Sequence, residues 1–211
     1  MNALGPRHLA QTAAELGLGL IHVSTDYVFA GDATAPYEID APTDPRSVYG
    51  ASKLAGERAV LEELPQAHVV RTAWVWGPVG SNFVKTMIRL QADRPTVSVV
   101  SDQHGAPTYA PDLARGLLRL ADADVTGGVL HATNSGVTTW FDFARAVFTE
   151  IGADPERVHP TTSAAFARPA PRPAYSVLST AAWAAAGLPE LRPWRTALTA
   201  ARVADAAPFR I

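Results

Sequence analysis

Ser24-Thr25-Asp26-Tyr27-Val28-Phe29 and, beyond a proline-rich interval, Val48-Tyr49-Gly50-Ala51-Ser52-Lys53 form the stretch from which the rest of the chain is placed. The apolar run Leu18–Val23 leads into Ser24 and Thr25 and reads as a buried parallel strand. Gly31 to Pro45 holds three prolines with several Asp and Thr residues, the composition of a loop. Ser47 is placed to cap a helix that runs to about Leu64 and is stopped by Pro65. Tyr49 and Lys53 then lie one turn apart on a single helix face. An ammonium beside a phenol favours the phenolate, and so draws the usual tyrosine pKa of ~10 toward neutrality. Such a tyrosine can exchange a proton with a substrate oxygen. Thr25, at the end of the strand, is positioned to hold that oxygen toward Tyr49. A Tyr and a Lys at this spacing also occur by chance. The strand–loop–helix setting is what gives the pair weight, and it suits reduction of a carbonyl.

Working outward, Asn2–Leu16 is an expected helix with Leu4, Leu9, Ala13 and Leu16 on its buried face and Gly17 as its stop. His68–Trp76 reads as the next strand, and Ser81 or Asn82 opens a helix to about Ala92. Thr96–Val100 is a short strand, Ala110–Ala121 a helix, Gly128–Ala132 a strand and Thr139–Ile151 a helix. Asp154–Arg172 is expected to loop over the surface, with helices at Ala181–Ala186 and Trp194–Ala204. Strands alternating with helices predict an α/β fold built on a doubly wound parallel sheet, Rossmann-like, with a small C-terminal substrate-binding portion. The division falls near residue 100: 1–100 belong mainly to the sheet domain, and 101–211 supply mostly the substrate-binding portion, interleaved with it.

The chain's 211 residues suffice for a sizeable core. A net charge of −2 without basic clusters argues against nucleic acid as a partner. With no cysteine there is no disulfide and no thiolate metal site, which fits a cytoplasmic protein. The six histidines are scattered without ligand spacing, so no metal site is expected. No apolar run approaches the ~18 residues of a membrane span.

The Ser24–Phe29 strand end and the Tyr49–Lys53 helix together resemble the extended short-chain dehydrogenase/reductase family, and within it the dTDP-4-dehydrorhamnose reductases. Asp-Gln-His-Gly-Ala-Pro-Thr at Asp102–Thr108 and Arg-Pro-Ala-Tyr-Ser-Val-Leu at Arg172–Leu178 resemble later motifs of the same group. The likeness extends over nearly the whole chain. It implies reduction of the C4 ketone of dTDP-4-dehydro-L-rhamnose with NADPH or NADH. Thr25, Tyr49 and Lys53 would be catalytic, with Tyr49, Lys53 and Thr72 also meeting the cofactor. Asp26, Tyr27, Trp74, Asn82, Gln103, Thr108 and Arg172 would meet the dTDP-sugar. Self-association into a homo-oligomer is compatible with this reading.

Several of these residues have plainer alternatives. Trp76 rivals Trp74, since both point to one strand face. Asn82 is more readily a helix cap than a pyrophosphate ligand. Arg172 is either a bidentate partner for a diphosphate or a solvated side chain. Asp102–Thr108 would by itself be an ordinary Gly-Pro turn. One feature of a complete reductase is missing. No Gly-x-Gly-x-x-Gly or Gly-x-x-Gly-x-x-Gly turn occurs in these residues, whereas the family carries one in its first strand–helix unit. The first strand–helix units are therefore expected to lie outside this chain. Two other functions stay open: a non-catalytic regulatory or binding module of the same ancestry, or a truncated remnant of it, and a sugar-nucleotide epimerase sharing the Tyr–Lys pair. The motifs at Gln103–Thr108 and Arg172–Leu178 count against the epimerase.

Overall fold

A computed structural model describes residues 1–165 and 170–204. In chain order the helices are α1 (Leu4–Leu16), α2 (Val48–Glu63), α3 (Phe83–Asp93), α4 (Ala110–Asp122), α5 (Trp140–Glu150), α6 (Ala181–Ala185) and α7 (Trp194–Ala204). The strands are β1 (Ile21–Thr25), β2 (His68–Thr72), β3 (Val75–Trp76), β4 (Val97–Val100), β5 (His104–Gly105), β6 (Thr108–Tyr109), β7 (Gly128–His131), β8 (Thr138–Thr139) and β9 (Val158–Thr161). The central sheet is parallel in the order β1-β2-β7, with Thr25 opposite Thr72 and Arg71 opposite both Ser24 and His131. Helices cover both of its faces, as a parallel sheet requires. Val69 packs with Ala10, Ala13, Val60 and Leu64 of α1 and α2. Val70, the next residue, faces the other way onto Leu113, Leu120 and Trp183 of α4 and α6. The expected doubly wound, Rossmann-like architecture is thus present.

Two small parallel ladders, β3–β6 and β4–β9, and one antiparallel ladder, β5–β8, surround the carboxyl end of that sheet. Behind them α3, α5 and α7 enclose the largest core cluster, centred on the fully buried Phe143 and Phe148.

The structure departs from the sequence reading in three places. The strand expected over His68–Trp76 breaks after Thr72, because Trp74 takes a left-handed backbone with φ 47°. Val75 and Trp76 then pair with a different strand. In α1 the buried residues are Ala10 and Ala13, while Leu4, Leu9 and Leu16 are 63%, 64% and 65% exposed. Small residues let α1 lie close against α2: a Cβ on Gly56 would stand 2.2 Å from the Asn2 carbonyl oxygen. The leucines look outward, and β1, among the described residues, pairs only with β2. The segment 154–172, expected as loop, contains β9, with residues 166–169 outside the described part. Pro160 sits in β9 because this strand pairs on one side only, where a missing N–H costs nothing.

Candidate active site

α2 is aimed by its first turn. The Ser47 hydroxyl accepts from the Gly50 N–H at 3.0 Å, and Gly50 lies so close to Tyr27 that a Cβ would stand 2.1 Å from the Tyr27 carbonyl oxygen. That contact seats the helix on the segment following β1. Tyr49, half exposed, meets Tyr27 edge-on at 5.7 Å and 75°. One turn on, Lys53 donates from Nζ to the Val23 carbonyl at 2.7 Å. Burial lowers the Lys53 pKa, and Glu57 opposes this. His22, on the same strand, is pushed down to about 4, first by burial and then by Lys53.

Beneath this face lies a buried ion pair absent from the sequence reading. Arg71 of β2 donates from Nε to Glu57 Oε1 at 3.0 Å and from Nη2 to Oε2 at 2.7 Å. Its Nη1 donates to the Ile39 carbonyl, and its guanidinium lies 5.0 Å from the centre of the Phe29 ring. Arg71 thereby ties together α2, the 31–47 loop and the segment after β1.

Thr25 ends β1 as expected. Its hydroxyl donates to Asp26 Oδ1 at 2.9 Å and accepts from the Tyr27 N–H at 3.3 Å. Asp26 is buried, and burial raises its pKa to about 6 against the hydrogen bonds of Thr25 and Ser176. Asp26 Oδ2, Ser24 Oγ and Thr72 Oγ1 are buried with no hydrogen-bond partner among the described residues. Two of them, on Asp26 and Thr72, lie at the ends of neighbouring strands, where a polar ligand would replace lost water; Ser24, level with Arg71, faces the other side of the sheet.

Trp76 proves to be core, packed on Tyr109 and Phe143, so Trp74 is the tryptophan left near the site. The Trp74 indole is stacked on Trp140 at 3.6 Å and 8°. Its other face meets Gly105, where a Cβ would come within 2.4 Å of Cε2, 2.6 Å of Cζ2 and 2.7 Å of Nε1. The ring-fusion carbon is nearest, ahead of both its ring neighbours, which places Gly105 over the ring and not at its edge.

The remaining candidates separate. Asn82 caps α3, accepting from the Lys85 N–H and donating to the Gly77 carbonyl, so both ends of its carboxamide are engaged. Thr108 is fully buried, and its N–H donates to the Trp74 carbonyl. Gln103 donates to the Ser163 hydroxyl at 2.8 Å and lines a cavity of about 540 Å³. That cavity is apolar along Phe83, Met87, Leu90 and Val99, and also holds Trp140 and Arg172. Arg172 is exposed and lines a second cavity of about 250 Å³ with Tyr27, Arg46 and Ser47. It stands between the large cavity and the Tyr27–Tyr49 pair.

A strap, 174–179, closes the arrangement. The Tyr175 N–H donates to the Gly31 carbonyl, the Ser176 N–H to His104, and the Ser179 N–H to Tyr37. Its Ser176 hydroxyl also donates to the His104 carbonyl at 3.4 Å and lies near enough to Asp26 to hold its proton affinity down. Among the described residues no three His, Asp or Glu side chains gather as a metal ion would need, and no helix is long and apolar enough to cross a membrane.

The dinucleotide implied by the resemblance fits this structure at one end. Tyr49, Lys53 and the unpartnered Thr72 hydroxyl would meet its nicotinamide riboside. No glycine-rich turn occurs in these 211 residues to take its pyrophosphate. Trp140, Gly105 and the Arg71–Glu57 pair were missed from sequence. Trp140 meets Trp74 only through the β5–β8 ladder, and no local pattern announces that pairing.

Residues 1–206 match the family model of the RmlD substrate binding domain. The dTDP-4-dehydrorhamnose reductase of Mycobacterium tuberculosis is 57% identical over 98% of this chain and 69% of its own length. That of Streptomyces griseus is 56% identical over 94% of this chain and 67% of its own. The crystal structure of the Bacillus anthracis reductase in complex with NADP superposes with a TM-score of 0.93 at 37% identity, covering 97% of this chain and 72% of that one. With a family model matched along almost all its length and relatives this similar, the chain belongs to the RmlD substrate binding domain family, alongside the dTDP-4-dehydrorhamnose reductases.

Proposed function

We propose that this chain carries the catalytic face and sugar-nucleotide site of a dTDP-4-dehydrorhamnose reductase, reducing the C4 ketone of dTDP-4-dehydro-L-rhamnose to the alcohol of dTDP-L-rhamnose. The carrying observation is the face of α2, where Lys53 holds the Val23 carbonyl of β1 and Tyr49 meets Tyr27, two residues beyond Thr25. NADPH or NADH, when bound, supplies the hydride to C4. Tyr49 gives its phenolic proton to the ketone oxygen, so one hydride and one proton convert C=O to CH–OH. Lys53, one turn along α2 and fixed to the Val23 carbonyl, is placed to hold the nicotinamide ribose. Thr25, buttressed by Asp26, orients the oxygen. The nucleoside enters the 540 Å³ cavity, with Gln103 as its polar contact and Arg172 at the diphosphate. Trp74 then borders the sugar. The reaction is that of a cytoplasmic biosynthetic enzyme.

The test is NADPH oxidation with the sugar ketone, comparing wild type with Tyr49→Phe. The substitution keeps the ring and removes the proton, and kcat should fall by roughly 10²-fold or more, the scale of lost general acid catalysis. Calorimetry should show dTDP binding unaltered. Undiminished turnover by Tyr49→Phe would remove Tyr49 from the role of acid.

A further inference from the structure

Trp74 is the sole described residue other than glycine with a positive φ, at 47°. A bulky side chain in that conformation is strained and persists only where its surroundings over-determine it. Here three constraints do so. Gly105 leaves room for the indole by having no Cβ. Trp140 lies parallel on the opposite face at 3.6 Å. The Trp74 carbonyl accepts from the Thr108 N–H at 3.2 Å. The first two constraints come from one device. Gly105 pairs with Thr138, and His104 with Thr139, immediately before Trp140. The two-residue ladder β5–β8 thus delivers both jaws that hold the indole. Trp140 is itself anchored as the first residue of α5, whose start is locked by a reciprocal pair: the Thr139 hydroxyl donates to the Asp142 carboxylate and accepts from the Asp142 N–H.

Trp140 also belongs to a second environment. With Phe83, 4.5 Å away, it forms part of the wall of the 540 Å³ cavity, whereas Trp74 does not line that cavity. A planar base entering there meets Phe83 and Trp140 first. Because Trp140 is stacked on Trp74, and Trp74 is strained against Gly105, movement of the first ring cannot leave the second in place.

We propose that Trp140 is a positioning residue for Trp74, and that through their stack the filling of the cavity by a pyrimidine nucleoside diphosphate sets where the Trp74 indole meets the sugar. The proposal rests on assigning that cavity to the nucleotide. Trp140 touches no reacting atom; it acts through Trp74.

The probe is dTDP alone, without sugar or dinucleotide, followed by the indole N–H resonances of the protein. Trp74→Phe and Trp140→Phe assign the two signals. In wild type, dTDP should shift both the Trp140 and the Trp74 resonances along one saturation curve. In Trp140→Leu, which removes one wall of the cavity, dTDP should bind more weakly, and at saturating dTDP the Trp74 resonance should no longer respond. Trp140→Phe keeps an aromatic wall, and should retain folding and a reduced Trp74 response if the leucine variant does not fold. A Trp74 resonance that stays fixed while Trp140 titrates, or that moves equally well in the Trp140 variants, overturns the coupling and leaves the nucleotide assignment standing. Absence of dTDP binding in wild type overturns both.

Discussion

Replacing Asp26 by asparagine should make the protein more stable at neutral pH and less active. The carboxyl is buried, and burial lifts its pKa from 3.8 to about 6. Between those values the folded chain keeps a proton that the unfolded chain has released. Stability therefore falls as pH rises from about 4, and the full loss is present above about 6. A shift of about two units at 1.36 kcal/mol each amounts to about 3 kcal/mol. Asp26→Asn removes that cost while keeping an oxygen to accept from the Thr25 hydroxyl. In a chain of this size each kcal/mol moves Tm by roughly 2–4 °C, so the variant should melt about 6–12 °C higher at pH 7. Near pH 4, where both side chains are neutral, the two proteins should melt together. Calorimetric scans between about pH 4 and pH 8 measure the gap directly. A gap that does not change with pH, or a wild type that is the more stable at pH 7, would refute the reasoning. A stabilising substitution that harms turnover would show that the strained carboxyl is kept for function.

Arg71→Met should destabilise by roughly 3–5 kcal/mol, because it leaves the Glu57 carboxylate buried without its guanidinium. Arg71→Met combined with Glu57→Leu should recover most of that loss in urea denaturation, and a single-variant loss below about 1 kcal/mol would mean that solvent reaches Glu57. α1 exposes Leu4, Leu9 and Leu16, and among the described residues β1 pairs only with β2, so the chain should self-associate. Leu9→Lys together with Leu16→Lys should shift the light-scattering mass toward the monomer; an unchanged mass would place the contact elsewhere.

What could be read from sequence was what neighbours along the chain encode. Tyr49 and Lys53 share a face because a helix repeats, and Thr25 ends a strand because an apolar run stops there. Asn82 is a cap, as its position before an amphipathic segment suggested. Residues whose meaning depends on a distant partner were out of reach. Nothing beside Glu57 along the chain announces Arg71, which β2 brings beneath it. Trp140 looked like the start of an ordinary amphipathic helix. The break at Trp74 was hidden because Val-Val-Arg-Thr-Ala-Trp-Val-Trp favours a strand throughout, and only the packing of Trp74 between Gly105 and Trp140 overrides that preference. The α1 leucines misled for a related reason: periodicity shows that an apolar face exists but not what covers it.

The strap at 174–179 has a consequence for the order in which the site comes into being. Asp26 and Tyr49 are made early, yet the Ser176 hydroxyl that reaches Asp26 follows about 150 residues later. At ribosomal speeds of ~5–20 residues per second, roughly eight to thirty seconds separate the two. During that interval the 31–37 loop lacks its partner in Tyr175 and Ser179, and Asp26 lies open to water, where an ordinary carboxylate is ionised. Arrival of the strap withdraws it from solvent and raises its proton affinity. Until the strap is made, the helix bearing Tyr49 and Lys53 stands over an unfinished pocket, and a ribosome stalled before residue 174 would display it in that state.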